Sequence, residues 1–449
     1  MNSLKEDIPT SESSTTTDQI AEGFKRHIED LDTAPKWWTD AKKNAFETFL
    51  ATPMPTRKDE TWRFGRTKEL GLGNYQFATL PSIGNAAEIV AKSTLVEAFA
   101  GRFVFGDDQT LQADRISPEL AEKGVIWAPL REAIAKHSEI LKDYLMKQTS
   151  QLGSAKFGAL HQAFLENGAL LYVPKGVEIE DPFIIYNWSL NSGSTLFPHT
   201  LIVAEERAKV KVIEANLSSN DKNAAYSCAV NHIFAGDGAS VDYTLLQNFN
   251  EQTLGFQINS NLASKDSRIK TLSVNVGCKR YRSETHGQIQ GAGAHVEMLS
   301  LAVADNEQEI DQRTLQTHSA PNAYSNLLFK NALIDKSKTI FSGLIKVDEG
   351  AQQTDAYQSN RNLLLSDTAE TNSLPGLEIA ANDVKCSHGT TTSQIDEEEI
   401  FYMKARGISE AKAQELIVNG FFEEVLERID CDSLAENARR IIQNKFSKK

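Results

Sequence analysis

The chain has 449 residues, a formal charge of −14, and 24% charged against 40% hydrophobic residues, the make-up of a folded globular protein of up to about three domains. The acidic balance argues against nucleic-acid binding as the main activity, since holding phosphates needs a basic field, and no apolar run approaches the roughly 18 residues of a membrane span. Four cysteines (Cys228, Cys278, Cys386 and Cys431) lie far apart with no CxxC pair, which fits free thiols in a reducing cytoplasm.

Residues 1–18 are rich in Ser and Thr, carry Glu6, Asp7, Glu12 and Asp18, and have no basic stretch leading into an apolar run. They read as a disordered, solvated tail, not a secretory or transit segment. Residues 19–168 read as mainly helical. "WWTDAKKNAFETFLATPMP" has helical apolar spacing and stops before Pro53. "PLREAIAKHSEILKDYLMKQ" reads as one amphipathic helix, and "GRFVFGDD" as a short strand ended by a turn. A further helix is expected from Ser154 as N-cap to Gly168 as the terminating glycine.

The texture changes at residue 169. From there to residue 395, six peptides each place a small residue at a turn ahead of polar/apolar alternation: Ala208, Ala239, Ser267, Ala294, Ala323 and Ala351. Their separations of about 27–31 residues are too short for propeller blades and lack a leucine-rich consensus. They predict a parallel β-helix of two to three short strands per coil, each coil pairing its backbone with the next. The two ends of such a coil need covers. The N-terminal region is expected to cover one, and residues 396–449, a small helical domain, the other. That domain opens with Asp396 as N-cap followed by Glu397–Glu399, closes its first helix at Gly407, and repeats the device from Ser409 to Gly420. Its apolar face includes Ile400, Phe401, Leu416, Ile417, Phe421, Phe422 and Leu426. These residues either bury against one another and the coil end or also dock a partner.

Motifs for nucleotide hydrolysis (GxxxxGK[ST]), serine hydrolysis (GxSxG), zinc proteolysis (HExxH) and dinucleotide binding (GxGxxG) are missing. Asp311, Arg313 and His318 raise the alternative of a β-helical carbohydrate-active enzyme, although Asp311 and Arg313 share a strand face and are more plainly an ion pair. The sharpest signal is Cys386–Ser387–His388. On a strand its thiol and imidazole share one side, their Cβ atoms about 7 Å apart. Sulfur and imidazole suit iron, zinc or copper, but a stable site needs about four ligands, and here there are two. The same pair describes a buried thiol beside a hydrogen-bonded histidine, which motif shape alone favours.

Over residues 313–422 the chain closely resembles the SufB/SufD family of iron–sulfur cluster assembly proteins, through "FSGLIKV", "TDAYQSNRNLLLS", "P-x-LEI", "DVKCSHG" and "FYMKARGI". Weaker similarity extends through "ALLYVPKGVEIEDPF" and the early "PTRKDETWRF". Aligned on Pro375, Glu378 and His388, Ile379 stands where SufB-type chains carry an acceptor cysteine, and Ser387 and Gly389 stand where they carry glutamates. The chain therefore falls on the SufD side.

The resemblance implies a right-handed β-helix between two helical domains and a non-enzymatic role. It implies a heterodimer with a SufB-like paralogue through the last coils. It also implies a SufC-like ATPase docked on the C-terminal helices, with ATP acting only through that partner. Iron or an iron–sulfur cluster would be held transiently at the interface, with His388, and Cys386 as second candidate, on this side. The family is also linked to iron acquisition and to a reduced flavin in the full complex, but no flavin motif is visible here. A homodimeric structural or metal-binding coil, in which two Cys386/His388 pairs meet across a two-fold, is the remaining alternative.

Overall fold

The computed structural model describes residues 14–31, 34–78, 84–148 and 150–447. Two ten-stranded sheets face each other and form the solenoid. The first sheet runs, in spatial order, β2 (Gln109–Asp114), β1 (Gly101–Gly106), β5 (Phe183–Ser189), β8 (Lys209–Ser218), β10 (Ser240–Asn248), β12 (Arg268–Asn275), β14 (His295–Ala304), β16 (Tyr324–Leu333), β18 (Thr354–Leu364) and β20 (Val384–Gln394). The second runs β19 (Glu370–Ile379), β17 (Lys338–Val347), β15 (Glu309–His318), β13 (Arg280–Ile289), β11 (Leu254–Ala263), β9 (Ala225–Ala235), β7 (His199–Ala204), β4 (Ala169–Val173) and β3 (Ile126–Pro129), with β6 (Ser194–Leu196) beside β9. From β7 and β8 onward every pairing is parallel, with each coil giving one strand to each sheet.

The repeat read from the sequence is the coil itself. Ala208, Ala239, Ser267, Ala294, Ala323 and Ala351 each precede a strand of the first sheet and are buried. The residue ahead of the small one is left-handed in five of these turns, including Gly238 (φ +67°) and Gly293 (φ +72°). It reverses the chain so that the small residue turns inward. The carbonyl of each of the first five then accepts from the coil above, as Ser240 N–H does to Ala208 O at 2.8 Å and Arg268 N–H to Ala239 O at 2.7 Å.

Several expectations change in three dimensions. The expected tail of residues 1–18 lies mostly outside the described residues, but Ser14–Glu29 is a helix. The region to residue 168 contributes β1, β2 and β3 to the two sheets, since β1 pairs in parallel with β5 and β3 antiparallel with β4. The predicted single helix after Pro129 is two, Leu130–Lys136 and Ser138–Tyr144, broken at His137 (φ −129°, ψ 34°). The helix after Ser154 ends at Phe164, short of Gly168. Gly420 does not stop its helix, which runs Glu410–Leu426. Val418, Phe422, Val425 and Leu426 of that helix form one buried stripe, and packing them outweighs the roughly 1 kcal/mol a mid-helix glycine costs.

The first end is covered as expected, since β1, β2 and β3 of the N-terminal region lie beyond β5 and β4 there, and the largest change concerns the second cover and the helices. The N-terminal helices Ser14–Glu29, Lys36–Ala51 and Ala155–Phe164 pack on the outer face of the second sheet, where Phe157, Leu160 and Phe164 meet Tyr226, Val230 and Phe256. The C-terminal helices Glu410–Leu426 and Asp432–Ser447 pack on the outer face of the first, where Val418, Phe422 and Ile442 meet Leu272, Leu299 and Leu328. Lys330 Nζ clips them there, 2.6 Å from Glu424 and 2.8 Å from the Phe421 carbonyl. The C-terminal helices therefore cover the side of the coil, not its end. Packing Val418, Phe422 and Ile442 on one outward face and Phe157, Leu160 and Phe164 on the other takes this apolar surface from water, which holds the helices there.

Candidate functional site

With the helices on the flanks, the coil ends openly. β19 and β20 are the outermost strands of their sheets. Register places Cys386 beside Ala356 and His388 beside Gln358, and on the other strand Leu377 beside Ile345 and Ile379 beside Val347. Ala356, Ile345 and Val347 are buried inside the coil together with Ala351 and Ala381, and Cys386 packs against them. Cys386, His388, Leu377 and Ile379 therefore all lie on the inward face of the last coil. No further coil follows, so that face meets solvent: Ile379 is 41% and Leu377 37% exposed, His388 is exposed and Cys386 half-buried. An interior surface has become an exterior one, next to two long unpaired strand edges.

Burial holds the Cys386 thiol above its ordinary pKa, reinforced by the nearby Asp355 carboxylate and opposed by a hydrogen bond with the Ala356 backbone. It is a neutral thiol at neutral pH, and binding a metal would require it to give up its proton. Among the described residues no group of three or more His, Cys, Asp or Glu side chains is placed to hold a metal ion. The Cys386/His388 pair thus fits soft-metal chemistry in donor type but supplies about half the ligands of a closed site.

The carbohydrate reading loses its residues to the architecture. Asp311 and Arg313 are the ion pair foreseen, at 2.6 Å. Both are buried, with Arg282 bridging Asp311 at 2.5 Å and Glu284 at 2.8 Å and stacking 3.8 Å from the Trp62 ring. The cluster fastens the N-terminal segment to the coil, since Arg282 also donates to the Thr61 and Leu152 carbonyls. His318 faces the coil interior and bonds Ser325 at 2.7 Å.

The predicted docking residues divide. Phe422 is fully buried under the helix and belongs to the core, so it is unavailable to a partner. Ile417 and Phe421 are half-buried against the same core, and Ile400 is half-buried. Phe401 is 74% and Leu416 43% exposed. Sequence reasoning missed Tyr402, 59% exposed, its ring 3.4 Å from the Arg406 guanidinium. The signal was local: the Glu397–Lys404 helix buries none of its residues, so the aromatic pair Phe401–Tyr402 has no core to enter.

A family model described as SUF system FeS cluster assembly, SufBD core domain, matches residues 187–421, and the SufBD protein N-terminal region matches residues 15–185. The chain belongs to the SufBD family of iron–sulfur cluster assembly proteins. It is 27% identical over 417 residues to the iron–sulfur cluster assembly protein SufD of Bacillus subtilis, covering 92% of this chain and 94% of that one. It is likewise 27% identical over 418 residues to a SufBD family protein of Synechocystis, covering 89% of each, and 24% identical over 435 residues to one of Staphylococcus haemolyticus, covering 94% of this chain and 92% of that one. The family and the β-helix inferred from the sequence are both met. No helix among the described residues is long and apolar enough to cross a membrane.

Proposed function

We propose that this chain is a SufD-type, non-enzymatic subunit of the cytoplasmic iron–sulfur assembly machinery. It pairs with a SufB-like paralogue through the open end of its coil and binds a SufC-like ATPase through Phe401, Tyr402 and Leu416. The observation that carries the pairing is the exposed inward face of the last coil, with Leu377 and Ile379 beside Cys386 and His388. A surface patterned as coil interior is matched by the end coil of another solenoid, which would extend both sheets and bury both edges.

In that arrangement Ile379 cannot accept sulfur, so the sulfur-carrying cysteine belongs to the paralogue. His388, with Cys386 beside it, presents the second side of a shared site. Iron or a nascent cluster is cargo there, completed by ligands from the other chain, and assisting iron acquisition is part of the same role. ATP acts through the docked ATPase. Co-expression with a SufB-like chain and a SufC-like ATPase, followed by size-exclusion and iron and sulfide analysis, tests the reading. A stable ternary complex is expected to hold more iron than either binary mixture. A chain that stays a homodimer in the presence of the paralogue refutes it.

A further inference from the structure

The inside of the coil receives every second residue of each strand. Near the turns at Ala208 to Ala351 it is apolar, with Val241, Ile269 and Val296 stacked coil on coil, and Met298 on Leu327 beside them. Towards the opposite side it is lined by amides and hydroxyls. One ladder runs Asn187, Asn216, Gln247, Asn275, Ala302, Asn331, Asn362 and ends at Thr392 in the last coil. Some of these groups bond each other, as Asn187 Nδ2 does Asn216 Oδ1 and Asn331 Nδ2 does Asn362 Oδ1, both at 2.9 Å.

Many of them do not. In six successive coils, from β8–β9 to β18–β19, at least one fully buried polar atom on the inward face has no partner in the protein: Asn231 Oδ1, Asn261 Nδ2, Asn275 Oδ1, Thr314 Oγ1, Asn331 Oδ1 and Gln358 Oε1 in turn. The fourth coil adds Gln312, Gln316 and His318. Each such atom would forfeit its hydration, and together they would cost as much as the whole stability of an ordinary domain. Polar groups in this position are met by buried water. A cavity of about 30 Å³ lies beside two of them, Asn231 and Asn261, with Ser273 and Thr285 also in its wall, and has room for about one or two water molecules. At the open end Gln358 leans across to the other sheet, where a Cβ on Gly343 would stand 2.4 Å from its Oε1. In register it lies directly beside His388.

We propose that the solenoid interior binds a file of ordered water, at least one molecule in each coil from β8–β9 to β18–β19, and that the file ends at Gln358 behind Cys386 and His388. A crystal structure of the full chain, at a resolution that orders internal solvent, tests this. Water is expected within hydrogen-bond distance of the orphaned atom in each of the six coils, Gln358 Oε1 included. A coil in which rotated side chains pair with each other and no water is present overturns the file. Thr314→Val gives a second reading in solution. A hydroxyl held by water is lost at a cost, so the unfolding midpoint falls by about 1–2 °C. An unchanged or raised midpoint shows a dry hydroxyl and overturns the proposal.

Discussion

The two phenylalanines of the C-terminal helices separate folding from docking. Phe422 is fully buried against the first sheet, and Phe401 is 74% exposed on a helix that buries nothing. Phe422→Ala removes a ring from a packed core and is expected to destabilise the chain by about 3–5 kcal/mol. Phe401→Ala removes a ring that already meets water, so its effect on stability is within about 0.5 kcal/mol. Its cost falls on binding. Covering most of an exposed Phe side chain stabilises a complex by about 2 kcal/mol, which is about 30-fold in Kd. Denaturant unfolding of both variants, with titration calorimetry of each against the SufC-like ATPase, reads both quantities. Wild-type affinity in Phe401→Ala, or wild-type stability in Phe422→Ala, would show the placement of the docking face to be wrong. Point variants are the right tool here, because deleting residues 396–449 would strip the outer face of the first sheet of its cover.

His388→Ala changes an exposed strand-edge residue, so the unfolding free energy stays within about 0.5 kcal/mol of wild type while the iron content of the assembled complex drops; undiminished iron would remove His388 from the site. Ile379→Asp puts a charge on the inward face of the open end. The isolated chain should fold normally and its affinity for the SufB-like paralogue fall at least about 10-fold, roughly 1.4 kcal/mol, as measured by analytical ultracentrifugation. Burial lowers the pKa of His161 to about 3 and of His232 to about 4, and that of His199 well below its ordinary 6.5. The unfolded chain therefore binds protons that the folded one refuses. Stability is highest above about pH 6.5 and declines as pH falls from there towards 4. Urea midpoints at pH 7.5 and 5 check this, and His232→Gln should flatten the decline.

What was legible in the sequence was whatever repeats or caps locally. The small residues Ala208 to Ala351 marked one coil each, because the turn ahead of each strand demands a residue with little or no side chain once per coil, whatever surrounds it. Asp396 is the N-cap expected, accepting from the Glu398 amide at 2.8 Å, and Gly407 has the positive φ its place predicted. The same-face pairing of Cys386 and His388 followed from strand period alone. Which face that was did not follow. Val384–Gln394 is polar or small at almost every position on both faces, so only register against β18 assigned the pair to the coil interior. Nor could composition separate Phe401 from Phe422, two aromatic residues on neighbouring amphipathic helices. The open end was hidden for the same reason. Helical patterning announces an apolar stripe but not the surface it will cover, and that was decided by tertiary packing, which drew the C-terminal helices to the broad flank of the first sheet and left β19 and β20 exposed.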